Sequence, residues 1–202
     1  NLSHVRILDN NFAPAAQLNA GERENKFWVH PTSYVESPEF NFDWDMDGWN
    51  AHSSAMTLNH ANGQLILSAN AASVFDPYVA GPGVSYDADQ KTEFCMSVNM
   101  SGISQSITAA VYWFYSDASF GLAHFQLNPG QQTVRFNLSA LHDPAHKDHT
   151  GTVSSLRLDI PDGNNYASVA SMVVKIDWLA VSEDADFTPV QNTAAYGDYV
   201  LP

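Results

Sequence analysis

From Glu39 to Glu183 the chain repeats short runs in which apolar and polar residues alternate with a period of two. Successive strand residues point to opposite faces, so this pattern predicts half-buried β-strands. The runs are Ala55–His60, Gln64–Ala69, Tyr78–Ala80, Lys91–Met100, Ile107–Tyr115, Phe120–Leu127, Thr133–Leu138, Val153–Ile160 and Ser171–Val181. Turn-rich segments separate them: Ala61-Asn62-Gly63, Gly81-Pro82-Gly83, Ser101-Gly102, Asn128-Pro129-Gly130 and Pro161-Asp162-Gly163-Asn164-Asn165. Asn-Gly suits the left-handed backbone of a tight hairpin, so residues 55–69 predict a hairpin. No segment carries a helical period with caps. Many short strands at this spacing predict an all-β fold, an antiparallel β-sandwich of jelly-roll type.

The alternation also assigns faces. Ala123, Phe125 and Leu127 form an inward row, which leaves His124 and Gln126 outward. Val134, Phe136 and Leu138 go in, with Arg135 and Asn137 out; Leu156, Leu158 and Ile160 go in, with Arg157 and Asp159 out. Phe94, Met96 and Val98 make another inward row. Val111 and Trp113 go in, so Tyr112 and Phe114 lie outside. One sheet is therefore expected to carry Tyr112, His124, Arg157 and Asp159 on its solvent side. Trp49, Trp113 and Trp178 are expected in the core, since large aromatics dominate such interiors.

The ends differ from the middle. Residues 1–38 hold two isolated strand candidates, Val5–Leu8 and Phe27–His30, around an Ala/Asn/Gln-rich stretch, and read as an N-terminal extended arm. Residues 184–202 read as an acidic tail or linker, leaving 39–183 as the sandwich.

Charge narrows the partners. Against 22 acidic residues stand 8 basic ones, a formal net charge of -14. Such a surface repels phosphate backbones and anionic lipid headgroups, which argues against nucleic acid and membrane partners. A neutral polymer, or a divalent cation held by carboxylates, fits better. The single cysteine, Cys95, allows no intramolecular disulfide and sits in a strand. Low lysine content and the absence of a basic-then-apolar leader are consistent with Asn1 as a mature, extracellular N-terminus. Three sequons, at Asn1, Asn99 and Asn137, carry meaning only in a eukaryotic secretory setting.

Several segments, in order, carry a resemblance. They are Phe40-Asn41-Phe42-Asp43-Trp44-Asp45-Met46-Asp47-Gly48-Trp49, Val111-Tyr112-Trp113, Thr150-Gly151-Thr152-Val153-Ser154-Ser155-Leu156-Arg157-Leu158-Asp159 and Lys175-Ile176-Asp177-Trp178-Leu179. Over about residues 39–182 the chain resembles carbohydrate-binding-module-like, galactose-binding-like jelly rolls. The resemblance implies a secreted binding domain and a Ca²⁺ ion tying the first strand to the last, with Asp43 and Asp177 as the matching carboxylates. It departs at His149, where the family tends to have tryptophan before Thr-Gly.

The residues themselves suggest a sugar platform. Pyranose C–H faces pack on aromatic rings, while carboxylates, Arg and amides take the hydroxyls. Tyr112, His124, Arg157 and Asp159 supply that mixture, with Tyr78 at the rim. Equally, Arg157 and Asp159, two apart on one face, can simply pair with each other. His142, His146 and His149 have the spacing of a metal site only if helical, and Pro144 interrupts that, so a polar loop is expected. No nucleophile, phosphate-loop or dinucleotide motif occurs, and no pair of acids is marked out for glycoside hydrolysis. The expected function is a non-catalytic extracellular module that binds polysaccharide. The alternative is a structural subunit of a filament, surface layer or viral fibre that self-associates by adding a strand from residues 1–38 to a neighbour.

Overall fold

The computed structural model describes residues 39–43, 45–51, 56–69, 77–162 and 169–183. The arm expected over residues 1–38, self-association through it, and the tail over 184–202 all lie outside the described residues.

Eleven strands and one short helix make up the described chain. The strands are β1 (Glu39–Phe40), β2 (Asn50–Ala51), β3 (Met56–Ala61), β4 (Gln64–Ala69), β5 (Tyr78–Asp87), β6 (Glu93–Ser101), β7 (Ile107–Phe114), β8 (Phe120–Leu127), β9 (Gly130–Asn137), β10 (Thr152–Asp159) and β11 (Val173–Ser182); α1 is Leu138–Leu141. They form two antiparallel sheets. The first has the order β3-β4-β11-β6-β9 with β1 beside β11, and the second β2-β5-β10-β7-β8. The expected all-β sandwich is what the chain forms. Pairing of β1 with the C-terminal β11 brings the two ends of the sandwich together, Phe40 opposite Leu179.

The period-two rows meet between the sheets. Phe94, Met96 and Val98 from the first sheet face Val111, Trp113, Leu156 and Leu158 from the second, all buried. Non-directional burial of these rows is the main stabilising term, and it requires the alternation read above. The hairpin forms as expected: Ala61 pairs with Gln64 across Asn62 (φ 55°) and Gly63 (φ 70°).

Four local expectations fail or hold only in part, for physical reasons. Gly81-Pro82-Gly83 is not a turn but lies inside the ten-residue β5. A Cβ on Gly81 would come 3.2 Å from both the Leu156 carbonyl and the Trp49 ring, so glycine here permits close approach rather than reversal. Trp178 is buried, as expected, but outside the inter-sheet cluster. A bulge between Ile176 and Trp178 moves the register, so Ile176 opposes Val98 but Trp178 opposes the outward Ser97. Its ring packs 6.0 Å under the guanidinium of Arg135 on that outer side. A single helical turn, α1, follows β9, capped by Asn137 accepting from the Ala140 amide at 2.9 Å.

The fourth is the His142–His149 stretch, expected as a solvated loop, which it is up to Asp148. Residues 143–147 nonetheless lie along β8: Asp143 N donates to Leu122 O at 2.8 Å and Lys147 N to Phe120 O at 3.1 Å. The strip thus covers the β8 edge of the second sheet, joined to it by an isolated bridge between His142 and Ala123. His149 turns inward and is only 1% exposed. It packs edge-on against Trp113 at 4.9 Å and shares a 3.0 Å hydrogen bond with the Tyr86 hydroxyl. At the position where the resemblance has tryptophan, histidine does the packing work of an aromatic ring.

Burial holds the His149 imidazolium down to a pKa of about 4, although Asp89 pulls the other way. The folded protein therefore resists binding a proton that the unfolded chain takes up near pH 6.5. Stability from this group is complete above pH 6.5 and is lost as pH falls towards 4, about 3 kcal/mol over that window. In urea melts at pH 7.5 and 4.5, His149→Phe is expected to flatten the loss between the two conditions relative to the parent. Equal losses in both proteins would show that His149 is not the group responsible.

Candidate functional site

The outer face of the second sheet gathers most of the residues singled out from sequence. Register places them in rows across the strands. Tyr78, Asp159, Ala110 and His124 share one row, and Arg157, Tyr112 and Leu122 the next. Ser155, Phe114 and Phe120 make the third.

Arg157 is the centre of this face. Its Nε donates to Asp159 Oδ1 at 2.6 Å and its Nη2 to Oδ2 at 2.5 Å, a bidentate pair. The flat guanidinium lies between two rings, 3.7 Å from the Tyr78 centroid and 4.8 Å from that of Tyr112. Guanidinium groups favour this combination of edge-on fork and face-on stacking. Tyr112 in turn runs parallel to Phe114, with centroids 6.4 Å apart at 16°. Phe120 closes the group, 5.9 Å from Tyr112 and 5.8 Å from Phe114, and the His146 ring lies 4.9 Å beyond it. The result is a continuous tier of rings, Tyr78, Tyr112, Phe114 and Phe120, all half-buried, with a cation set between the first two.

One expectation needs correction here. Asp159 does point away from the inter-sheet core, but it is not wet: its side chain is 1% exposed and that of Arg157 19%. The carboxylate lies beneath the Arg157 fork and opposite Tyr78 and Ala110 in register. It supports the tier rather than presenting oxygens to solvent. His124 stands at the far end of the first row, exposed, with its Nε2 2.7 Å from Asp162 Oδ2.

Phe120 is not singled out from sequence, and His146 is singled out there only for its spacing from His142 and His149. Phe120 shares the parity of His124 on the same strand, so the alternation carried the signal. The place of His146 at this face had no sequence signal, because only the docking of the 142–147 strip on β8 brings it to Phe120.

The two carboxylates expected at a calcium ion flank the β3–β4 turn. Asp43 Oδ1 is 3.9 Å from where a Cβ on Gly63 would sit, and the neighbouring Gln64 amide donates to Asp177 Oδ1 at 2.6 Å. Their environments differ. Asp43 Oδ2 is buried without a hydrogen-bond partner, and burial raises the Asp43 pKa. Asp177 Oδ2 accepts from Ser97 Oγ at 2.8 Å and from Gln131 Nε2 at 3.1 Å, so three side-chain donors already hold that carboxylate. The donor set fits a cation at Asp43 and fits it poorly at Asp177. Elsewhere, His142 pairs with Asp148 at 3.0 Å and His146 with Asp143 at 3.4 Å. Among the described residues no group of three or more histidine, cysteine or acidic side chains converges as a metal site.

No protein-family model matches the sequence, and no curated protein matches it. Solved structures do. A structure described as an agarase, AgWH50C, superposes with a TM-score of 0.50 at 14% identity, over 71% of this chain and 24% of its own. PfGH50B gives a TM-score of 0.50 at 6% identity, over 69% of this chain and 22% of its own. The chain thus corresponds to about a quarter of each of these two proteins. A mutant of CBM29-2, a family 29 carbohydrate binding module, matches at 13% identity over 77% of this chain and 96% of its own, with a TM-score of 0.47. At these identities the two likenesses at a TM-score of 0.50 establish the fold alone, a β-sandwich of two antiparallel sheets.

Proposed function

We propose that this chain is a non-catalytic module that binds polysaccharide along the outer face of the second sheet. The observation that carries the reading is the ring tier Tyr78, Tyr112, Phe114 and Phe120, spread over adjacent strands of one sheet face. Rings placed this way offer apolar surface to successive sugar C–H faces, and the tyrosine hydroxyls and His124 sit among them to take hydroxyl groups. Asp159, in this reading, acts through Arg157: it fixes the guanidinium that spaces Tyr78 from Tyr112. Asp159, Asp162 and Asp143 on this face are each committed, to Arg157, His124 and His146, which suits binding rather than bond cleavage. An extracellular setting goes with this ligand class; among the described residues no helix is long and apolar enough to cross a membrane.

Affinity electrophoresis in gels containing a range of polysaccharides tests the proposal. At least one polymer is expected to retard the protein. Tyr112→Ala and Phe120→Ala should each weaken that retardation about tenfold, on the order of 1.4 kcal/mol. Unchanged mobility in every gel would sink the reading.

The calcium ion belongs to the same proposal, held by Asp43 with backbone carbonyls and water completing the 6–8 oxygens such an ion takes. Binding to the folded state alone raises its stability. Calcium at millimolar concentration is expected to raise the melting temperature of the parent and not that of Asp43→Asn. Without calcium, Asp43→Asn should melt slightly higher, since it removes a buried unpartnered charge. Indifference of the parent to both calcium and chelator would remove the ion from the picture.

A further inference from the structure

Among the described residues, Arg157 and Lys147 are the basic groups at this face, and each is engaged by the protein's own partners. Arg157 has its Nε and Nη2 on Asp159, at 2.6 and 2.5 Å, and its two flat faces against Tyr78 and Tyr112. At the β8 rim, Lys147 Nζ sits 3.7 Å above the Tyr115 ring, donates to Ser119 Oγ at 3.1 Å and lies 3.7 Å from Asp117 Oδ2. Recognition of a carboxylate or sulfate calls for a fork or ammonium aimed at it; here the Nε/Nη2 side of the Arg157 fork is taken by Asp159, and Lys147 lies against Tyr115, Ser119 and Asp117.

The rest of the face leans the other way. Asp117, Asp143, Asp148, Asp159 and Asp162 stand on it or around it, and His124, His142 and His146 each pair with one of those carboxylates. The exposed acids, Asp148 and Asp117, have side chains 71% and 64% accessible and set a negative potential at the rim. An anionic chain approaching this rim meets like charge, and the one lysine described there is already held against Asp117 and Tyr115. Uncharged hydroxyls meet no such barrier.

Building on the polysaccharide-binding reading above, we infer that the ligand is an uncharged glycan and that the site excludes uronate-bearing and sulfated chains. The discrimination is by repulsion and by the sequestering of Arg157, not by any contact special to the neutral sugar.

Matched polymers test this. Hydroxyethyl cellulose and carboxymethyl cellulose share a glucan backbone, and agarose and carrageenan are both galactans that differ in sulfation. For whichever backbone binds, the neutral member is expected to bind at least tenfold tighter at low salt. Salt should leave that binding nearly unchanged, while any residual binding of the charged member should strengthen as screening shortens the reach of the rim carboxylates. Equal or tighter binding of the charged member, or its weakening with salt, would overturn this inference and leave polysaccharide binding standing. If neither member of either pair binds, neutral galactomannan against polygalacturonate extends the test; silence from all six polymers overturns both readings together.

Discussion

Asp159→Ala is expected to destabilise the fold by about 3–5 kcal/mol, the range for removing one partner of a buried ion pair. The two oxygens of Asp159 take both the Nε and Nη2 protons of Arg157, and its side chain is 1% exposed. Truncation leaves a guanidinium that is 19% exposed with no carboxylate under it, held between two rings that cannot replace the lost charge. Desolvation of the orphaned cation, rather than the attraction lost, sets the size of the effect. Urea denaturation of the single variant and of the double variant Arg157→Leu/Asp159→Leu measures it. The double variant should recover much of the loss, because an apolar pair leaves no charge unmatched. A single-variant loss below about 1 kcal/mol is what a solvated surface pair gives, and would mean that the pair is not sealed in solution.

Gly121→Ala is expected to be as severe, about 3 kcal/mol or more, by overpacking. Gly121 lies on the inward parity of β8, and a Cβ there would fall well inside contact distance of the Lys147 carbonyl and of the Trp113 indole. Neither can move cheaply. The Lys147 backbone is held by its amide on Phe120, and Trp113 is fully buried against His149. The clash therefore pushes the 142–147 strip off the β8 edge and takes His146 away from Phe120. Thermal melting gives the stability, and the ring-current shift of the His146 protons in an NMR spectrum reports the strip. Gly83→Ala, where a Cβ meets nothing within 4 Å, serves as the control and should be close to neutral. A Gly121→Ala protein that melts with the parent would contradict the packing described.

These two sites also show how far the pattern of residues reaches. That Arg157 and Asp159 share a face, and that it is not the face of Leu156 and Leu158, follows from two-residue periodicity. That Asp159 is dry does not. Its burial depends on Tyr78 of β5 and on β7 lying on either side of β10, and β5 and β10 are paired across some seventy residues of chain. In the same way, Phe114 and Phe120 are both outward by parity, but their meeting depends on the β7–β8 register. Trp178 shows the opposite case: the preference of large aromatics for the interior is met, since it is buried, but the bulge after Ile176 sets it outside the inter-sheet cluster.

Alone, then, the sequence determined the class of fold, the face taken by most strand residues and the Asn62-Gly63 hairpin. Each of these depends only on the conformational preferences of a few consecutive residues. Tertiary structure decided the order of strands in the two sheets, the placing of the 142–147 strip on β8, the inward turn of His149 and the sealing of Asp159 under Arg157. Those arise from pairings between segments far apart in the chain, where many partners satisfy the same local alternation and only the packing of the whole selects one.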